Sequence, residues 1–457
     1  MRFFTSSSSG SQSRPHTPAD KANMGCCHSG RIDYEHDPVH LCHFDMHRAV
    51  GKGAFGKVRV VQHKRSKTTY ALKYINKQQC IKQKSVASII QERHLLEEVN
   101  HPFLVNLRYA FQDEENCFYV LDLMMGGDLR FHLNMRGCFP EHVVRFWVAE
   151  LACGLSYLHE QRIIHRDIKP DNILLDAAGH AHITDFNVAI HYSSRRRHTS
   201  VGGTMYYMAP EMVDPARPGY YWQIDFWSLG VVAHELLWHS RPFEGNSVEK
   251  LTHSILSDSI TVPPRVVPKM APVSREGCGA VLSLLDRNPH TRLGCRSIAT
   301  SLGELKSHPW FANLDWRRLE RKEMQPPYVP DQSRANFDVG LEMDDYMSGE
   351  KRLTSKRRAL PDMEKVSPEQ RIFLEQFTLF DFERSPRSSY FPRNESIGSS
   401  SPPSTTGSTY AGHSRGHSPT ESGRTSSVRT SSDRSSTTRY GDHTQVIVPP
   451  TLLAGYR

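Results

Sequence analysis

Two carboxylates, an amide and two lysines are spaced as phosphate chemistry would require. In the loop His165-Arg166-Asp167-Ile168-Lys169-Pro170-Asp171-Asn172, Asp167 can accept a proton from an incoming hydroxyl. Lys169, two residues on, can neutralise charge on a group in transfer. Asn172 offers an amide oxygen, a hard ligand suited to Mg2+. Thirteen residues later, Asp185 in HITDFNVAI supplies a carboxylate able to bridge such a metal to β- and γ-phosphates. Phosphoryl transfer asks for positioning and charge neutralisation more than for covalent chemistry, and these side chains provide both.

The amino-terminal elements supply the other half. HRAVGKGAFGKVRVVQH reads as strand, glycine turn, strand, with Gly51, Gly53 and Gly56 in a G-x-G-x-x-G pattern followed by Val58. Glycine lets backbone N–H groups approach phosphate oxygens. A dinucleotide-binding fingerprint shares this spacing but opens a helix, whereas here the chain continues as strand. Taken alone, the loop also suits a plain glycine hairpin. Lys73 lies in the strand pattern TTYALKYINK (68–77), where burial of an unpaired ammonium would be costly. Glu92, near the middle of the helix expected next, is a partner that leaves Lys73 in reach of α- and β-phosphates. A snorkelling lysine beside an ordinary helix ion pair is the alternative.

The ordered set GKGAFGKV, YALKY, HRDIKPDN, DFN and Ala209-Pro210-Glu211 resembles the signature of the protein kinases over about residues 44–311. The resemblance implies an α+β, bilobal protein-kinase fold, a small β-rich lobe above a larger helical one, with disordered termini. It implies ATP-dependent transfer of the γ-phosphoryl group to Ser/Thr hydroxyls, with Mg2+ as the metal and Mn2+ an alternative. Catalysis falls to Asp167, Lys169, Lys73 and Glu92, and metal binding to Asn172 and Asp185. The nucleotide site would comprise Gly51, Lys52, Gly53, Ala54, Phe55, Gly56, Val58, Ala71, Lys73, Leu121, Asp122, Met124, Asp128 and Phe337. Leu121 would be the gatekeeper, and the backbone of Asp122 and Met124 would meet adenine. Asp225, Glu211 and Arg292 take structural roles, Asp225 bracing the catalytic loop. Asp128, Asp171 and Glu235 fall where basophilic kinases hold substrate arginines, which implies protein substrates with basic residues upstream of the acceptor. A phosphate on Ser200, or on its neighbour Thr199, could pair with Arg166. Asn187 replaces the usual glycine of this motif. It is the one feature favouring the alternative of a pseudokinase or nucleotide-binding signalling scaffold.

Beyond the domain, PPYVP (326–330), Asn336-Phe337-Asp338 and FTLFDF (377–382) resemble the C-terminal tail of AGC kinases, and DFN is most similar to YANK-type members. By that resemblance Phe377, Phe380 and Phe382 dock on the small lobe and steady the helix of Glu92. EQRIFLEQFTLF also has the spacing of a short amphipathic helix.

The chain as a whole has 457 residues, a net charge of +8, 38% hydrophobic and 23% charged residues. This divides into a disordered leader (1–43), the kinase-like domain (44–311), an extension (312–382) and a disordered tail (383–457). Within the tail, residues 384–442 hold 18 Ser and 8 Thr, too little apolar area to offset ordering entropy. The charge excess is too small, and too much of it lies in the tail, to imply nucleic-acid binding. The nine scattered cysteines read as reduced thiols. No apolar run reaches the ~20 residues of a membrane span. A cytoplasmic protein is therefore expected. Met24-Gly25-Cys26-Cys27-His28-Ser29 fits an N-myristoylation pattern followed by palmitoylatable cysteines, so acylation at Gly25, Cys26 and Cys27 would add peripheral plasma-membrane attachment if translation starts at Met24.

Overall fold

Alternating apolar residues and glycine turns build a sheet at the amino-terminal end of the computed structural model, which describes residues 33, 36–53, 56–193, 195–217, 219–262, 271–331, 336, 353 and 366–384. Strands β1 (Phe44–Gly53), β2 (Gly56–His63), β3 (Thr69–Asn76), β4 (Leu107–Gln112) and β5 (Asn116–Asp122) pair antiparallel in the order β1-β2-β3-β5-β4. Both faces are covered. Tyr70, Leu72, Phe118 and Val120 pack with Phe44 and Tyr109, while Ile75, Cys117 and Tyr119 join the main core. Gly56 faces Ile75 in register, and a Cβ there would fall 1.7 Å from the Tyr74 carbonyl oxygen, so the strand turn excludes any side chain. The folded part begins earlier than residue 44: Val39 and Leu41 are buried in the same cluster as Phe44, which their apolar character within DPVHLCHF explains.

Helix α1 (Lys77–Lys82), capped by Asn76 accepting from Gln79 N at 3.0 Å, leads to α2 (Val86–Glu98), which carries Glu92. The helical half follows β6 (Gly127–Asp128). It comprises α3 (Leu129–Arg136), α4 (Glu141–Glu160), α5 (Pro210–Val213), α6 (Ile224–Trp238), α7 (Val248–Ser257), α8 (Arg275–Leu284), α9 (Ser301–Ser307) and α10 (Trp316–Glu320). Short strands β7 (Ile163–Ile164), β8 (Ile173–Leu175), β9 (Ala181–Ile183) and β10 (Ile190–His191) lie between α4 and α5. The most apolar stretch of the sequence forms α6, buried on all sides against α4 and α8. No helix among the described residues is long and apolar enough to cross a membrane.

The residues after the domain lie on it. Tyr328 packs edge-on against Phe139, Trp147 and His132, and its hydroxyl hydrogen-bonds His132 Nδ1 at 2.9 Å. Asn336 rests on Gly127. The φ of 76° at Gly127 demands glycine, and so does the Asn336 carbonyl oxygen, which would lie 1.8 Å from any Cβ added there. Phe337 lies outside the described residues, as do Gly25, Cys26, Cys27, Ala54, Phe55 and everything after Arg384.

The aromatic segment is helical only as far as Gln376 and then docks on the sheet as a strand. Ser367 and Gln370 form a capping box that starts α11 (Pro368–Gln376). The chain then forms β11 (Phe380–Asp381), which pairs antiparallel with β4 and extends the sheet to six strands. Phe373, Phe377 and Phe380 are at most 2% exposed. Arg93 of α2, itself buried, donates to the Thr378 carbonyl (3.1 and 2.9 Å) and hydroxyl (2.9 Å). Phe382 is only half-buried: it packs against the same core, edge-on to Tyr109, and lies over Arg108, 4.7 Å from guanidinium carbon to ring centre. Asp381 is ion-paired to Arg384 at 3.3 Å.

Phe377→Ala should lower stability by about 3–5 kcal/mol through loss of a buried ring, and Phe382→Ala by under about 1.5 kcal/mol, compared as urea midpoints. His101 gives a pH signature. Burial lowers its pKa from 6.5 to about 3, and its Nδ1 accepts from Phe103 N at 3.2 Å, so the folded state keeps it neutral. The unfolded chain binds that proton first, so stability should fall as pH drops below 6.5 and towards about 3. His101→Gln should flatten the slope of urea midpoint against pH.

Candidate active site

The loop after β7 is fixed from beneath by Asp225, in the first turn of α6. Its carboxylate is fully buried and accepts from His165 N (3.0 Å), Arg166 N (2.9 Å) and His159 Nε2 (2.8 Å). Two backbone donors and an imidazole offset the cost of burying the charge. Asp167 follows directly. Its Oδ2 meets Lys169 Nζ at 2.8 Å and accepts from Asn172 Nδ2 at 2.9 Å, while Oδ1 accepts from Thr204 N (2.8 Å) and Thr204 Oγ1 (2.7 Å). Burial would raise the Asp167 carboxyl, but Lys169 and the Thr204 hydroxyl outweigh it and hold it below the usual carboxylate range. It is therefore an ionised acceptor at neutral pH.

Across the cleft, Lys73 Nζ lies 2.7 Å from Glu92 Oε1 and 3.9 Å from Asp185 Oδ1. Burial opposes the charge of Lys73, but the two carboxylates outweigh it, so the ammonium is retained. Asp185 adopts a left-handed φ of 67°, and the buried Phe186 beside it packs edge-on to His165 at 5.3 Å. Asn187 is not in the left-handed region, so the glycine usual at its position is not needed for this conformation.

Three buried oxygens here have no hydrogen-bond partner: Glu92 Oε2, Asp185 Oδ1 and Asn187 Oδ1. Asn172 spends its Nδ2 on the Asp167 carbonyl and carboxylate, both at 2.9 Å, which leaves its amide oxygen as the group to present. A carboxylate oxygen without a hydrogen bond and an amide oxygen, on residues that line the same cavity, suit a hard divalent cation. Among the described residues no group of three or more His, Cys, Asp or Glu is arranged to hold a metal.

These groups surround a cavity of about 410 Å³. Of the residues expected from sequence, Gly51, Gly56, Val58, Ala71, Lys73, Glu92, Leu121, Asp122, Met124, Asp128, Asn172 and Asp185 line it. Lys52 and Gly53 complete β1 opposite Lys57 and Gly56. Asp167 and Lys169 adjoin the wall through Asn172. Sequence reasoning missed Val50, Leu96, Val105, Leu123, Met125, Gly127, Leu174 and Thr184, which also line it. It also missed Thr204, whose hydroxyl joins Lys169 Nζ (2.8 Å) to Asp167. No spacing signal marked it, because it comes from a distant turn. Asp122 commits its side chain to Arg108 (2.5 and 2.9 Å) and Asn106 (2.9 Å).

The three acids expected to hold substrate arginines already have partners within the chain. Asp128 Oδ1 caps α3 by accepting from Phe131 N at 2.7 Å. Asp171 and Glu235 both pair with Arg130, at 3.3 and 2.8 Å. This basic residue, two positions after Asp128, makes the difference. Ser200 accepts from Arg166 at 3.1 Å, alongside Tyr220 at 3.0 Å. Glu211 and Arg292 form a buried bidentate pair at 2.7 and 3.0 Å.

The family described as protein kinase domain matches residues 44–311. Serine/threonine-protein kinase 32B of Homo sapiens is 40% identical over 346 residues, covering 74% of this chain and 80% of that protein. Serine/threonine-protein kinase 32C of Homo sapiens is 41% identical over 330 residues, covering 71% of this chain and 65% of that protein. Serine/threonine-protein kinase AtPK1/AtPK6 of Arabidopsis thaliana is 38% identical over 299 residues, covering 65% of this chain and 62% of that protein.

Thr204→Ala removes two hydrogen bonds to charged groups and should reduce kcat about 10- to 100-fold, with Thr204→Ser restoring most of it. Steady-state rates at saturating nucleotide check this.

Proposed function

Because the chain belongs to the protein kinase family, we propose that its cleft transfers the γ-phosphoryl group of ATP to serine or threonine hydroxyls of protein substrates through the residues gathered above. The observation that carries the reading is the convergence of Lys73, Asn172 and Asp185 on one cavity, with Asp167 held beside it by Asn172. Backbone N–H groups of the Gly51–Gly56 turn cradle phosphates. Lys73, held by Glu92, presents its ammonium to the α- and β-phosphates. Asp167 orients the acceptor hydroxyl and takes its proton as the new P–O bond forms. Lys169 offsets the negative charge that develops, and Thr204 keeps Lys169 and Asp167 in register.

Asn172 and Asp185 would hold a divalent ion, Mg2+ by the hardness of their oxygens or Mn2+ by the same chemistry. Bound there, it would neutralise phosphate charge. The adenine edge meets the main chain of Asp122 and Met124, with Leu121 limiting the depth behind it. By the family resemblance, Ala54, Phe55 and Phe337 are proposed as further nucleotide-site residues; all three lie outside the described residues.

The segment 366–384 resembles an AGC-type tail, and its grip on α2 through Arg93 supports a role in holding Glu92 towards Lys73. Acylation at Gly25, Cys26 and Cys27 is proposed for a product starting at Met24, and intact mass of the native protein tests it.

Asp167→Asn should lower kcat by about 10²- to 10⁴-fold while nucleotide binding, read by fluorescence titration with Mg2+ or Mn2+, changes little. Lys73→Met should instead weaken nucleotide binding as well. Phosphate transfer by Asp167→Asn at the wild-type rate would remove the reading.

A further inference from the structure

Arg130 leaves α3 towards the acidic patch beside the catalytic loop. Its Nη1 donates to Glu235 Oε1 at 2.8 Å and its Nη2 to Glu235 Oε2 at 3.2 Å, a bidentate fork. Nη2 also donates to the Tyr207 hydroxyl at 2.5 Å, and Nε to Asp171 Oδ2 at 3.3 Å. Tyr207 in turn donates to Glu235 Oε2 at 2.6 Å. The Arg130 side chain is only 22% exposed and that of Glu235 8%, so water screens the pair poorly. The third acid, Asp128, has Oδ1 engaged by its own helix.

The position of this network gives it meaning. Asp171 stands four residues after Asp167, and both Asp171 and Asp128 line the nucleotide cavity. A polypeptide that delivers a hydroxyl to Asp167 must therefore run past the patch. Left open, three carboxylates would attract a guanidinium from that polypeptide. With Arg130 in place, an incoming arginine that reaches Glu235 must displace another guanidinium, and it strands Arg130 without its main partner.

We propose that Arg130 is a built-in occupant of the acidic subsite beside the catalytic loop, so that this enzyme uses serine and threonine peptides without rewarding an arginine before the acceptor. Arg130 is then a specificity-determining residue. The inference rests on the phosphotransferase reading of the cleft, and it replaces the expectation of basic upstream residues with indifference to them.

The test compares kcat/KM on serine peptides carrying either arginine or alanine at each position preceding the acceptor. Full-length wild type should show arginine-to-alanine ratios within about threefold at every position. Arg130→Met, which keeps the stem and drops the charge, should raise the ratio about tenfold or more at one or two positions by freeing Glu235 and Asp171. A wild-type ratio of tenfold or more overturns the inference, as does a folded Arg130→Met enzyme with unchanged ratios. Should Arg130→Met fail to fold, Arg130→Lys, which cannot form the fork, should still raise the ratio measurably, and an unchanged ratio there overturns the inference. Failure of the underlying reading looks different: wild type then transfers phosphate to none of the peptides, and Asp167→Asn behaves identically.

Discussion

The fully buried carboxylate of Asp225 is the point from which the catalytic geometry is set. A charge in that position is tolerable only because two consecutive main-chain amides and the His159 ring satisfy it. Those amides belong to His165 and Arg166, so satisfying the charge and shaping the loop are one event. Asp167 is the next residue. Its orientation is then completed by Lys169, Asn172 and Thr204, and Thr204 comes from a segment otherwise separate in sequence. The upper side of the cleft is anchored differently, by an ion pair between β3 and α2 that depends on where α2 sits.

Three of the arginines in this molecule have three different consequences. Arg292 is wholly buried, forks onto Glu211 and lies over Trp227 at 5.2 Å, which makes it a strut of the helical lobe. Arg93 reads the Thr378 main chain and stacks on Phe377, joining the end of the extension to the helix that carries Glu92. Arg130 forms the same bidentate chemistry as Arg292 at the rim of the substrate path, where it sets charge rather than shape. Depth and neighbours, not residue type, decide which of these roles an arginine takes.

Much of the site was readable from spacing because its residues come in short local runs. Asp167 to Asn172 and Asp185 to Asn187 each keep their geometry within a few residues, and Gly53 meets Gly56 across the strand pair, so order along the chain implies order in space. Long-range partners were not readable. Thr204, Arg108 against Asp122, and Arg130 against Glu235 meet only after tertiary folding, and nothing in their local sequence marks the encounter. The extension was half legible. Its aromatic spacing suited either a helix or a docked segment, and period alone does not reveal that a capped helix can end where a strand begins. Burial of Val39 and Leu41 ahead of the first strand was likewise hidden by the polar residues around them.

The pairing of Phe380 and Asp381 with Ala110 and Tyr109 gives β4 a neighbour on its outer side. Stripped of that cover, β4 would offer dangling amides and carbonyls next to a vacated greasy trough, a template for foreign strands. Proteolytic trimming at this end of the molecule would thus announce itself as clumping and turbidity, not simply as a slower enzyme.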